Sequence, residues 1–403
     1  MARRTKVLLV ADAITLAHLA RPAALAAGLD PERYEVSLAY DPRLSGFIRQ
    51  PNFAELPLQS MSSARFLANA ARGAPLYDVD TLRRYVKADL AVLDSLRPDV
   101  VIGDHRLSLS VSARRAGVPY LALINAYWSP YTVERRLLVP ELPMTRILGV
   151  PIAQRLFRAA WPIASAIQSA PLNRVRKENG LPSLGSDWFS VYTDADQTLY
   201  VDAAELVPTQ GLPASHRYIG PVMWSPDVGL PAWWAELPLN RPLVYATMGS
   251  SGRPGVLEMV LEALADCNVS VIATTAGKSG PSSVPANAWL VDYAPGDKLA
   301  ARADLMICNG GSLTVYQSLA AGKPVLGVAA HMDQQLSMSY VESAGVGRSL
   351  RSDTLNTERL RSATERLLSD ASIRRRAQTM AGAIAGYDPV QRLSAVIDEV
   401  VHG

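Results

Sequence analysis

The chain has 403 residues, with 40 Lys and Arg against 37 Asp and Glu for a net charge of +3. That length exceeds what one hydrophobic core normally sustains, so two domains of roughly 200 residues each are expected. The near balance of charge, with no basic run interleaved with aromatics, excludes a nucleic-acid channel, and no stretch reaches the roughly 18 to 20 uninterrupted apolar residues of a membrane span.

The N-terminal MARRTKVLLVADAITLAHLA sets charge before an apolar run, but Asp12 and His18 interrupt it, so no signal peptide is expected. Continuous apolar runs then mark strands at 6–12, 34–40, 99–104, 120–124 and 197–202, the pattern of parallel strands covered on both faces. Between them, residues 148–180 form a basic, proline-interrupted amphipathic stretch. Such a stretch most often covers a sheet, and it also suits a membrane surface or a hydrophobic acceptor, so weak membrane association stays open. Residues 219–242, rich in proline and tryptophan, read as a linker. A second series of strands follows at LVYAT, VSVIAT, AWLV, LMIC and PVLGV, and an amphipathic helix closes the chain at 388–401. The fold class is therefore α/β, with two Rossmann-like doubly wound domains facing each other across a cleft. The domains run 1–220 and 242–385, joined by a linker at 221–241, with the closing helix at 386–403. Cys267 and Cys308 stand in apolar surroundings without metal-ligand spacing, which points to reduced thiols in a cytoplasmic protein and to no zinc site.

In the second half, strand 305–308 runs into Asn309, Gly310 and Gly311, then a helix from Ser312 that ends at Gly322. The glycines let a backbone approach a ligand closely, and Ser312 and Thr314 add hydroxyls beside the unpaired N–H groups of a helix start, an arrangement suited to phosphate. An ordinary crossover with a Thr314-x-x-Gln317 capping box has the same outline. Asp333 and Gln334, directly after the next strand, suit the hydroxyls of a sugar. His331 before them shapes the turn. Gly249, Ser250 and Ser251 make a second strand-end turn that can grip a phosphate.

These segments resemble the C-terminal signature of the family 1 glycosyltransferases of the GT-B fold, the UDP-glycosyltransferase and macrolide-glycosyltransferase kind, roughly H-G-G-x-G-T-x-x-E-A-L-x-x-G-x-P followed by D-Q. Gly310, Gly311, Thr314, Gly322, Pro324, Asp333 and Gln334 agree with it. Asn309 stands at its His, Leu313 at its later Gly and Gln317 at its Glu. YIGPVMW and LVDYAP are similar to further family elements, and the closing helix to the one that returns to the first domain. The resemblance implies a UDP- or dTDP-sugar donor whose diphosphate meets Asn309, whose base is held by Tyr293 and Pro295, and whose ribose meets Gln317. Gln317 offers one neutral acceptor where the family's Glu offers two oxygens, so its hold on a ribose diol is expected to be weaker, and Gln317→Glu to favour uridine nucleotides by about 1 kcal/mol.

The same resemblance implies inverting transfer to a hydroxyl of a hydrophobic small-molecule acceptor, which needs a base that is neutral near pH 7. The family's G-H-x-x-P pattern is approached at His18 and Pro22, with Ala17 at its Gly and the Pro one residue later than the pattern has it, and His18 is expected in a loop before a helix that opens near Arg21 and Pro22. Asp104, ending the 99–104 strand, is the expected carboxylate partner, with Asp12 a competitor and His105 a further titratable group. Trp128 and Tyr131 suit an acceptor pocket or buried packing equally. No paired-acid element accompanies the donor motif, so metal-independent transfer with no cofactor is expected. A non-catalytic nucleotide-sugar binder and an epimerase of the same fold are the alternatives.

Overall fold

The computed structural model describes residues 3–48, 51–238 and 240–403. They divide into two compact units: Met1–Leu137, Gln154–Val222 and Tyr387–Gly403 form the first, and Leu138–Ala153 with Met223–Gly386 the second.

Among the described residues the first unit holds seven strands, β1 (Thr5–Ala11), β2 (Tyr34–Tyr40), β3 (Ala54–Pro57), β4 (Val100–Asp104), β5 (Tyr120–Ile124), β6 (Gln197–Tyr200) and β7 (His216–Tyr218). They pair in parallel in the order β3-β2-β1-β4-β5-β6-β7. Alternate residues of β1 serve opposite faces: Val7, Leu9 and Ala11 join one buried cluster, and Leu8 and Val10 the other. Burial on both faces is why the strand reads as an unbroken apolar run. The strand order reverses between β1 and β4, and the carboxyl ends flanking such a reversal are where doubly wound sheets bind ligands.

The second unit repeats this plan with six described strands, β8 (Leu243–Thr247), β9 (Ser270–Thr274), β10 (Ala288–Val291), β11 (Leu305–Cys308), β12 (Val325–Ala329) and β13 (Gly347–Arg351), ordered β10-β9-β8-β11-β12-β13. Its reversal lies between β8 and β11. Cys308 closes β11 fully buried, and burial pushes its thiol up to about 12, so it is a packing residue rather than a nucleophile.

Two features depart from the boundaries read from sequence. Leu138–Ala153 clusters with the second unit, because Glu141 accepts from Ser352 Oγ, Arg351 Nη1 donates to the Val139 carbonyl at 2.7 Å, and Thr145 Oγ1 donates to Asp353 Oδ2 at 2.8 Å. Residues 223–241, read as linker, also belong to that unit. The helix Pro389–His402 belongs to the first unit, where Leu393, Val396 and Ile397 enter the cluster of Val7 and Leu9. Tyr34 Oη donates to Asp398 Oδ1 at 2.8 Å, and the gap left by the missing side chain of Gly28 is filled by Val390.

Candidate active site

At the reversal of the first sheet, β1 leads through Thr15 into the helix Leu16–Gly28. His18 thus lies in that helix's first turn and not in a loop, and Pro22 sits inside the helix instead of opening it. The earlier start has a consequence: Arg21, three residues on, shares a helical face with His18 and reaches the same acid.

That acid is Asp104, at the end of β4 and fully buried. His18 Nδ1 is 2.8 Å from Asp104 Oδ1, while Arg21 Nε and Nη2 donate to Oδ2 and Oδ1 at 2.8 and 2.9 Å. Arg21 Nη1 donates to Asn125 Oδ1 at 2.8 Å, and Asn125 Nδ2 to Asp202 Oδ1 at 3.1 Å. Burial by itself raises the Asp104 carboxyl, but the Arg21 charge and then the His18 hydrogen bond outweigh it and hold the group below the ordinary carboxylate range. Arg21 Nη2 also lies 3.1 Å from His18 Nδ1, so that nitrogen has a donor and an acceptor beside it; in the tautomer with the proton on Nδ1, His18 donates to Asp104 and its Nε2 lone pair is left to accept. The His18 side chain keeps 19% of its surface exposed, enough for a substrate to reach it.

Asp12 does not compete for His18. It is fully buried and accepts from Tyr77 Oη at 2.5 Å and Tyr85 Oη at 3.2 Å, with Arg106 Nη1 at 3.6 Å. His105 adopts a left-handed φ of 58° and sets its ring edge-on to His18, centroids 4.7 Å apart. Trp128 is buried packing, 5.4 Å from Trp188 and 5.2 Å from Tyr192, whereas Tyr131 is half-buried against His216.

The second unit gathers several of the residues singled out above at its own reversal. Ser251, in the turn after β8, accepts from Asn309 Nδ2 at 3.1 Å and from Gln334 Nε2 at 3.4 Å. Gly249 in that turn takes φ 53°, and Ser250 beside it is exposed. Gly310 takes φ 81° with Met338 packed where a Cβ would stand, so the turn after β11 requires glycine there.

The helix Ser312–Ala320 begins next, with Gly311 as its cap and no side-chain cap. Asn309 Oδ1 accepts the Gly311 N–H at 3.1 Å, so this amide spends its carbonyl on a backbone donor. Leu313 and Thr314 lie in the first turn, whose N–H groups have no acceptor within the helix. Ser312 opens that turn.

Gln334 is buried and accepts from Ala330 N at 3.0 Å and His331 N at 3.3 Å, closing the start of the helix Met332–Ser343. The carbonyl of Gln334, a residue assigned from sequence to sugar hydroxyls, is therefore engaged locally. Asp333, beside it, is half-exposed. Burial lowers His331 below its ordinary range. Tyr293 is half-buried, and Pro295 caps the short helix Gly296–Arg302.

Lys278, not picked out from the sequence because it follows β9 in a plain Gly-Lys-Ser-Gly loop, donates to the Gly252 carbonyl at 3.0 Å and brings a cation to the turn after β8. Among the described residues, no group of three or more His, Cys, Asp or Glu is placed to hold a metal ion.

Gln317 Nε2 donates to the Trp224 carbonyl at 2.6 Å and to Ser225 Oγ at 3.3 Å. A glutamate there would face that carbonyl with a second acceptor. Gln317→Glu is accordingly expected to lower stability by about 1–3 kcal/mol, offsetting any gain at a ribose. Urea unfolding checks this, and an unchanged midpoint would show the Trp224 contact to be dispensable.

The family model for the C-terminal domain of erythromycin biosynthesis protein CIII-like proteins matches residues 258–394. A PGL/p-HBAD biosynthesis glycosyltransferase of Mycobacterium tuberculosis (strain ATCC 25177 / H37Ra) is 50% identical over 383 residues, 95% of this chain and 89% of its own. A PGL/p-HBAD biosynthesis rhamnosyltransferase of Mycobacterium bovis (strain BCG / Pasteur 1173P2) is 50% identical over 389 residues, 96% of this chain and 86% of its own. Among solved structures, the spinosyn rhamnosyltransferase SpnG complexed with thymidine diphosphate superposes with a TM-score of 0.68 at 17% identity, covering 97% of this chain and 99% of that one.

Proposed function

Given that the chain belongs to the family 1 glycosyltransferases of the GT-B fold, we propose that it transfers a sugar with inversion from a dTDP- or UDP-sugar to a hydroxyl of a hydrophobic small molecule. The observation that carries this reading is the His18–Asp104 pair at the reversal of the first sheet, which in the tautomer with the proton on Nδ1 leaves imidazole Nε2 to accept a proton. The acceptor hydroxyl hydrogen-bonds to Nε2. As its oxygen forms a bond to the anomeric carbon, the bond from that carbon to the diphosphate breaks, and the hydroxyl proton passes to His18. Asp104 holds the ring and stabilises the imidazolium, while Arg21 fixes the carboxylate through both oxygens.

On the donor side, the first turn of the helix at Ser312 and the turn Gly249–Ser251, with Lys278 beside it, would neutralise the leaving diphosphate without a metal. Two considerations favour a thymidine nucleotide: Gln317 has one carbonyl acceptor and a committed amide, and a rhamnosyltransferase of the same fold has been solved in complex with thymidine diphosphate. With the rhamnosyltransferase name of a relative, a dTDP-activated deoxyhexose is the first donor to try.

The test is incubation with a panel of dTDP- and UDP-sugars and phenolic or alcoholic acceptors, followed by product mass and the anomeric configuration by NMR. Acceptor-dependent nucleotide release and an inverted linkage are expected. A product that keeps the donor's configuration overturns the single-displacement reading and His18 as its base.

A further inference from the structure

The helix Val150–Glu178 carries apolar residues on two opposite faces over its middle turns. Its inward face holds Trp161, Ser165, Ser169 and Leu172, all under 9% exposed, and the two serines find acceptors there: Ser165 Oγ donates to the Ser186 carbonyl and Ser169 Oγ to the Ser165 carbonyl, each at 2.8 Å. The outward face is apolar as well. Leu156 is 47% exposed, Ile163 68% and Ile167 47%, and with Ala159 and Ala170 they recur at steps of three and four along one stripe about 21 Å long. A water-facing helix surface is ordinarily polar, so a stripe of this kind marks an interaction face.

The charges beside the stripe have a single sign. Between Glu141 and Glu178 the sequence has no acid and six basic residues, of which Arg174 pairs with Glu178 and Arg176 with Asp194. Arg155 and Arg158 are exposed and have no ion-pair partner among the described residues. A second copy of the chain docked on this stripe about a two-fold axis would bring these guanidinium groups together, which costs energy. A bilayer carrying anionic headgroups accommodates both features, isoleucines at the acyl boundary and arginines at the phosphates. No helix of the described residues is long and apolar enough to cross a membrane, so the contact is one of lying on the surface.

We propose that the outward stripe of the helix Val150–Glu178, centred on Leu156, Ile163 and Ile167, docks the protein on an anionic lipid bilayer. Flotation with vesicles of equimolar phosphatidylglycerol and phosphatidylcholine, against vesicles of phosphatidylcholine alone, tests it. The wild-type chain is expected to float with the anionic vesicles and to be released in about 0.5 M NaCl. Leu156→Gln/Ile163→Gln should lower the partition coefficient about tenfold or more, since two exposed side chains lose their transfer into the apolar layer. Arg155→Gln/Arg158→Gln should lower it on the anionic vesicles. Both pairs sit on the surface, so unchanged circular dichroism and melting are expected and would tie the loss to the face itself. The proposal is overturned if the wild type stays with the unbound fraction, if Leu156→Gln/Ile163→Gln floats like the wild type, or if sedimentation shows a dimer that this pair of substitutions dissociates.

Discussion

His18→Ala is expected to lower kcat by about 100-fold or more and to leave the nucleotide-sugar Kd nearly unchanged. A general base acts as the acceptor loses its proton, so its removal raises the barrier without touching groups that hold the donor in the ground state. His18 is placed for this by two elements: β1 brings the chain to the sheet's reversal, and β4 ends beside it in Asp104, 2.8 Å from Nδ1. Asp104→Asn should cause a smaller loss, because the amide can still orient the ring but no longer stabilises the imidazolium. The measurement is steady-state kinetics on a hydroxyl acceptor, beside calorimetric titration of the donor. Full activity in His18→Ala would remove the assignment. His105 is then the residue to vary, since Asp12 is already committed to Tyr77 and Tyr85.

Arg21→Met is expected to destabilise the first unit by about 3–5 kcal/mol, the usual cost of removing one partner from a buried pair. Asp104 is fully buried and Arg21 is 4% exposed, so the carboxylate that remains has neither water nor guanidinium to stabilise its charge. Asn125 loses its donor as well. A fall in melting temperature of about 10 °C is the corresponding readout. The double change Arg21→Met/Asp104→Leu should recover part of this, because it removes both charges.

Acidity gives a second check on the same pair. In the wild type the Asp104 carboxyl is held below its unfolded value, so its contribution is present above about pH 4 and is lost as the pH falls below that. In Arg21→Met, burial without the compensating charge pushes the group the other way, and protonation relieves the strain. The stability difference between the two proteins should therefore narrow on acidification. A constant difference would mean that Arg21 stabilises by packing alone.

What the sequence disclosed, and what it hid, follow the same physics. Strands buried on both faces stand out as apolar runs, as β1, β4 and β5 do. β3, β7 and β13 did not stand out: Ala-Glu-Leu-Pro, His-Arg-Tyr and Gly-Arg-Ser-Leu-Arg are short, half-exposed edge strands whose partners, and not their composition, make them extended. The approach of His18 to Asp104 was legible because the chain leaving β1 carries His18 and β4 ends in Asp104, on either side of the reversal. Arg21 was hidden by one misplaced helix start, since Pro22 reads as a first helical residue. Asn309 and Gln334 show a further limit of spacing. A carboxamide at a strand end looks the same in sequence whether it faces a ligand or, as the carbonyls of both do here, closes a nearby backbone donor.

The helix Pro389–His402 has a bearing on how the protein comes to be folded as it is made. Its Leu393, Val396 and Ile397 complete a core begun by Val7 and Leu9, yet residues 223–386 must be synthesised in between. At about 5–20 residues per second that interval lasts roughly ten to thirty seconds, during which Leu25, Leu29 and Tyr34 of the nascent first unit lack one wall of their enclosure. The second unit, continuous from Met223 to Gly386 apart from the Leu138–Ala153 segment already made, can close first. The half that starts the chain thus completes its core only once residues 387–403 have been made.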